Sequence, residues 1–268
     1  MGFDSLALLA WYAHAQRPLP WRATRDPYAL LVSEVMLQQT QAARVVPYYE
    51  AFLERFPDAA ALAAAPPRDV LAAWSGLGYN RRALALQAAA RAVAARGWPE
   101  DLTELPGVGP YTAAAVGSFA WDRQEPAVDT NVRRVFARFD GVQRGPAALA
   151  ARAREAMPAG EAAPFNQAMM ELGATVCRPR APRCGECPVR RGCAGPRVSA
   201  GDRATARPRA PRFEDTDRWA RGRVVAALVN GEPVPAGERF ERVLAGLERD
   251  GLISRPSDGP PRLPTIRP

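Results

Sequence analysis

The 268 residues contain no lysine, so all 36 basic side chains are arginine. That absence closes one branch of chemistry, because no lysine amine is present to form a Schiff base with a sugar or carbonyl. Histidine is almost as scarce. The single one, His14, falls on a helical pattern marked by Phe3, Leu6, Leu9 and Tyr12, and reads as an ordinary surface or packing residue. No apolar run is long enough to span a bilayer. The alanine-rich stretches are interrupted by arginines, as suits soluble helices. With neither a signal-peptide pattern nor an internal repeat, a cytoplasmic protein with no membrane contact is expected.

Cysteine is rare as well, but its placement is informative. All four lie in one arginine-rich stretch, Cys177-x6-Cys184-x2-Cys187-x5-Cys193. Soft thiolates at such spacing hold a [4Fe–4S] cluster or a zinc ion. Pairing into two disulfides is the alternative, and nothing else in the chain suggests an oxidising compartment. Zinc sites often use paired Cys-x2-Cys units. Only one such pair occurs here, and the gaps of six and five favour the cluster.

What is abundant is positive charge. A net charge of +8 and a pI near 10.0 favour a polyanionic partner. The length accommodates two compact units and a small third one.

The periodicities are helical throughout. Asp26-Pro27 supplies a cap and a first-turn proline for a helix running through Thr40. On it Glu34 shares a face with Leu30, Leu31 and Leu37, as a buried acid with a raised pKa or as a solvent-facing glutamate. Further helices are expected at about 44–56, 67–74 and 81–96, the last closed by Gly97. Gly76-Leu77-Gly78-Tyr79-Asn80 makes a tight loop that either presents Tyr79 outward or packs it. Leu105-Pro106-Gly107-Val108-Gly109-Pro110-Tyr111-Thr112, ahead of the helix 113–120, has the form of a helix-hairpin-helix. Its glycines let backbone N–H groups point at a phosphate, and the next helix adds its dipole. Asp129 and Asn131 are both good caps for a helix over 132–139. The helix 165–176 carries Asn166, Gln167 and Glu171 straight into Cys177. Residues 196–212 read as an Arg/Pro-rich linker. Helical patterns at 219–229 and 238–250, followed by a short strand, suggest a small C-terminal unit resembling a winged helix.

Taken in order, Ser33-Glu34-Val-Met-Leu-Gln38-Gln39-Thr40, Leu77-Gly78-Tyr79, the hairpin at Leu105–Gly109, Asp129-x-Asn131 and the four cysteines resemble the endonuclease III, or helix-hairpin-helix, superfamily of DNA glycosylases over about residues 10–195. The glutamate helix with Gln-Gln-Thr looks like its adenine DNA glycosylase (MutY-type) branch. The resemblance implies an all-α, two-lobed fold with an iron–sulfur loop. A six-helix barrel lobe with the hairpin would span 20–125. A cluster lobe would combine 1–19 with 126–195, and the small unit would occupy 213–268. It also implies a [4Fe–4S] cluster on Cys177, Cys184, Cys187 and Cys193.

The activity implied is hydrolysis of the N-glycosidic bond of adenine mispaired with 8-oxoguanine or guanine in double-stranded DNA, by a monomer. A flipped adenine would be protonated by Glu34 and the sugar cation steadied by ionised Asp129. Tyr111 would assist in the position where the endonuclease III branch has its lysine, so a monofunctional enzyme is expected. Gln39 and Tyr79 resemble the intercalating residues. Arg22 and Gln167 match positions that contact the extruded adenine, with a surface ion pair and a helix-face amide as the plainer readings. Gln38, Thr40, Gly107, Val108, Gly109 and Asn131 complete the DNA-binding set. Residues 213–264 are too short for the Nudix-like domain many members carry. Two other readings remain: a pyrimidine-damage or thymine-mismatch glycosylase on the same scaffold, and a catalytically inactive DNA-binding module.

Overall fold

The structure, a computed structural model, describes residues 2–195, 212–256 and 259–264. The linker expected over 196–212 therefore lies, Arg212 apart, outside the described residues. Those residues are all-α: they contain no strand, and the only pairing is an isolated antiparallel bridge between Ser254 and Arg262. Among the described residues, no helix is long and apolar enough to cross a membrane.

Local sequence sets most helix starts. Asp4 caps α1 (Ser5–Ala15), its carboxylate accepting from Ala7 N at 2.9 Å. His14 is exposed near the end of this helix. The connector after it is not wholly extended, because Pro20–Arg22 forms one 3-10 turn. Asp26 accepts from Tyr28 N and Ala29 N at 3.1 and 3.3 Å to open α2 (Pro27–Leu37). α2 stops at Leu37 instead of continuing to Thr40, because Gln39 takes a left-handed φ of 61°. α3 (Ala42–Arg55), α5 (Pro67–Ala73) and α6 (Arg81–Arg96) fall close to their expected places, with Gly97 ending α6 at φ 77°. α4 (Ala59–Ala64) is additional, opened by Asp58, which accepts from Ala61 N at 2.8 Å. There follow α7 (Pro110–Trp121), α8 (Thr130–Asp140), α9 (Pro146–Ala156) and α10 (Ala162–Thr175), then α11 (Asp217–Asn230) and α12 (Glu238–Arg249).

The chain divides into two compact units. The first contains the described residues of Met1–Leu30 and Gly109–Ala206, the second those of Leu31–Val108 and Arg207–Pro268. These limits differ from the lobes expected above. α7 falls in the first unit because it packs on α10; Ala115, Phe119, Ala127 and Ala163 bury one another with Leu30. The main core of this unit joins α1, α8 and α10 through Leu8, Tyr12, Val135, Phe136, Phe165 and Leu172. Phe3 adds tilted and edge-on contacts to Phe136 and Phe139.

In the second unit α6 packs on α4 and α5, and Phe52 meets Trp74 edge-on at 5.9 Å. The C-terminal helices do not stand apart, since α11 packs on α5 and on α12. Arg68 Nε donates to Val229 O at 2.6 Å. The described C-terminal residues thus show two helices and a single bridge pair where a strand and wing were expected.

Candidate active site

In the first unit, Asp129 sits at the mouth of α8 and caps it. One carboxylate oxygen accepts from Val132 N at 2.8 Å, the other from the Asn131 side-chain amide at 2.7 Å. Burial pushes this carboxyl above its ordinary value; the hydrogen bonds and the Arg134 charge oppose that without cancelling it. The amide oxygen of Asn131 in turn accepts from Arg134 at 2.7 Å, and the same guanidinium donates to Gly173 O at 2.7 Å and Cys177 O at 2.8 Å. Arg134 was not singled out from the sequence, since arginine in a helix of a basic chain gives no local signal.

α10 holds the rest of this region. Asn166, 2% exposed, accepts from Ala127 N and donates to Ser118 Oγ and Glu125 O, which fixes the segment leading into Asp129. Gln167 accepts from Tyr12 Oη at 2.8 Å. Met170 receives the Tyr111 hydroxyl at a sulfur distance of 3.9 Å, and Tyr111 packs half-buried against the Ala115–Phe119 cluster. Glu171, fully buried, is clamped by Arg17 at 2.7 Å and Arg22 at 2.6 Å. Burial pushes the Glu171 carboxyl up, but hydrogen bonds from Arg17 and Arg22, with their charges, bring it below the usual carboxylate range. Arg22 thus forms the ion pair read as its plainer role, though a buried one. It also lies 5.5 Å from the Tyr12 ring centroid.

In the second unit Glu34 is 4% exposed, between Ser33 and Val35 that are equally buried. The solvent-facing alternative is excluded. Just beyond it the end of α2 is capped by a side chain from another helix. Arg82 donates to the carbonyls of Val35 (2.7 Å), Met36 (3.2 Å) and Gln38, and to Gly78 O at 3.1 Å. It thereby ties the Gln38–Thr40 turn to the Gly78–Tyr79 turn. Gln38 and Thr40 are half-buried and Gln39 is exposed. Tyr79 is 47% exposed in a left-handed conformation, φ 51°, so it does face outward.

The hairpin has two different glycines. Gly107 takes φ 76°, and a Cβ there would meet Ala85 Cβ at 2.7 Å, so no other residue allows this approach to α6. Gly109 is extended and opens α7 with no capping side chain, which leaves the helix start suited to an anion. Val108 between them is 7% exposed and packs inward.

The four cysteines of the first unit are free of disulfides and line one cavity of about 260 Å³ together with Arg138 and Arg190. Arg138 is 4% exposed, donates to Cys177 Sγ at 3.4 Å and to Arg178 O at 2.7 Å, and pairs with no carboxylate among the described residues. Burial pushes the Cys187 thiol up to about 11. Among the described residues, no group of three or more His, Cys, Asp or Glu side chains is placed to hold a metal ion.

Residues 32–158 match the model of the HhH-GPD superfamily base excision DNA repair protein. A thermostable thymine-DNA glycosylase structure superposes with a TM-score of 0.67 at 30% identity, over 72% of this chain and 94% of that one. A trapped endonuclease III–DNA covalent intermediate shares the fold, with a TM-score of 0.62 at 24% identity, over 70% of this chain and 92% of that one. The fold and its hairpin are those of a helix-hairpin-helix DNA glycosylase. The adenine DNA glycosylase of Mycolicibacterium smegmatis is 41% identical over 97% of this chain and 95% of its own. The chain belongs to the adenine DNA glycosylase family, and it is a base excision repair glycosylase.

Proposed function

We propose that the protein hydrolyses the N-glycosidic bond of adenine mispaired with 8-oxoguanine or guanine in double-stranded DNA, as a monomer and without cutting the strand. One observation carries the reading: Glu34 is an acid buried to 4% exposure, on the helix that leads into the Gln38–Thr40 turn. A carboxyl held inside the protein at that place suits a general acid for the adenine ring. Asp129 is the second carboxyl. Its oxygens are oriented by Val132 N and Asn131, and once ionised it opposes the positive charge that develops on the sugar. Tyr111 would line the same sugar, held by Met170. Arg22 and Gln167 would bind the extruded base, with Glu171 and Tyr12 orienting them.

Tyr79 and Gln39 would enter the duplex, since both are exposed at the tips of turns that Arg82 braces. Phosphates would be held at the Gly107–Gly109 hairpin and by arginines. The absence of lysine supports hydrolysis without a Schiff base. A [4Fe–4S] cluster on Cys177, Cys184, Cys187 and Cys193 completes the reading. A four-iron cluster spreads its thiolates more widely than one zinc ion, which binds sulfur at about 2.3 Å. Thiols rimming a cavity of about 260 Å³ beside the unneutralised Arg138 suit that larger anionic group. Its contribution there is to brace the loop.

The test is a glycosylase assay on duplexes with adenine opposite 8-oxoguanine or guanine, and with thymine opposite guanine. Adenine release, with strand breaks only after alkali, is expected. Release of thymine alone would favour the thymine-mismatch reading, which the thymine-DNA glycosylase likeness keeps in view.

A further inference from the structure

Within the second unit, Tyr79 does not stand bare. The Arg218 guanidinium of α11 lies over its ring at 4.4 Å from the centroid, and that of Arg82 at 5.4 Å. The two cations are differently employed. Arg82 spends its donors on backbone carbonyls. Arg218 is exposed, and among the described residues no carboxylate lies within ion-pair distance of it. Its neighbours have a counter-charge: Asp250 pairs with both Arg221, one turn along α11, and Arg81. The approach is built into the backbone. Gly78 has φ 71°, and a Cβ there would come within 3.2 Å of Arg218 Nη2. Tyr79, Arg218, Gln39 and Arg221 line one cavity of about 600 Å³.

We propose that Arg218 is a specificity-determining residue that reads the base left opposite the extruded adenine, through the O6 carbonyl of a guanine-class base. This deepens the function proposed above and rests on its placing Tyr79 in the duplex. A guanidinium flat on the face of an inserted ring occupies the adjacent stacking level. At that level the outward N–H edge meets a base edge, whereas phosphates lie at the periphery of the duplex. A planar arginine edge is the commonest partner of guanine in direct readout. A stacked arginine also keeps its fork oriented before binding, which limits the ordering cost. The role falls to α11 because its packing on α5 carries Arg218 over the turn.

The test uses the full chain in single-turnover adenine release from three duplexes, with adenine opposite 8-oxoguanine, guanine or 2-aminopurine. The last is a guanine analogue lacking the O6 carbonyl. Wild type should favour the two carbonyl-bearing partners. Arg218→Ala should keep its rate on 2-aminopurine and lose roughly tenfold to a hundredfold of that preference. Arg218→Lys, which keeps the charge without the planar fork, should lose it too. Melting temperatures equal to wild type, expected for an exposed side chain, exclude misfolding. An unchanged preference would overturn the proposal. So would an equal fall on all three duplexes with a salt dependence shallower by about one ion, the signature of a phosphate contact. Wild-type inactivity on every duplex would overturn the proposed function itself, and this inference with it.

Discussion

Gly173 on α10 and Asn131 on α8 touch so closely that a Cβ added at Gly173 would fall inside contact distance of the Asn131 side chain and 3.1 Å from its Cα. Asn131 is the residue whose amide holds Asp129 at 2.7 Å. The contact between two helices therefore sets where a carboxylate points. Gly173→Ala should cost about 1–3 kcal/mol from overpacking. At a temperature where the variant stays folded, single-turnover base release should still be slower than wild type, because Asn131 is displaced. An unimpaired rate in a destabilised variant would show that the Asn131 contact is merely structural.

Asp129→Asn separates capping from charge. Asparagine is as good a cap as aspartate, so the melting temperature near neutral pH should change little, while base release should fall about 10²–10³-fold. The pH dependence has a definite sign. The folded carboxyl is raised, so its stabilising contribution is complete below the ordinary aspartate pKa of about 3.9 and is lost as pH rises through the raised value. The variant's stability should be flatter across that window. In wild type, activity should rise with pH on a limb above the usual aspartate range, measurable as a single-turnover pH profile.

Glu171→Gln leaves Arg17 and Arg22 without their shared carboxylate. Removing one partner of a buried pair costs about 3–5 kcal/mol; the lower end is expected because the Arg17 side chain is 43% exposed. Here the folded pKa is depressed. The stability it brings is present above the ordinary glutamate value and disappears as pH falls through the depressed one. Wild type and variant should therefore converge in denaturant titrations at acid pH, and differ most near neutrality.

Removing the proposed cluster should release the loop of Cys177–Cys193 while largely keeping α8 and α10, because the loop adds only Val189 and the partly buried Cys177, Cys187 and Cys193 to a core otherwise built by residues such as Phe136, Phe165 and Leu172. Limited proteolysis before and after chelation checks this: new cuts should fall within 177–193, and helical circular dichroism should be largely kept. Global loss of helix on chelation would contradict it.

Several parts of this protein were legible in the residues themselves. Asp26, Asp129 and Gly97 mark helix ends because capping is a local interaction between a side chain or a free φ and the next turn. The cysteine spacing and the missing lysine narrowed the chemistry before any coordinates, since those depend only on which atoms exist. The glycines before Tyr79 marked a tight loop that would either present its ring or pack it, and the structure shows it 47% exposed.

Other features needed partners distant in sequence. The helical pattern through Thr40 gave no sign that α2 ends at Leu37, where Gln39 turns left-handed and Arg82, 44 residues beyond Gln38, takes up the freed carbonyls. α4 and α9 are alanine-rich, and alanine fits either face of a helix, so their periodicity is faint. Whether Glu34 is solvated or buried could not be read from one helix, because burial is decided by what packs against it. The sequence alone determined the inventory of acids, thiols and guanidiniums and the points where helices begin. Tertiary structure alone decided that Arg134 reaches the Gly173 and Cys177 carbonyls, that Gly173 must lack a side chain, and that Arg218 lies on Tyr79, because each is a contact between segments whose approach no local pattern encodes.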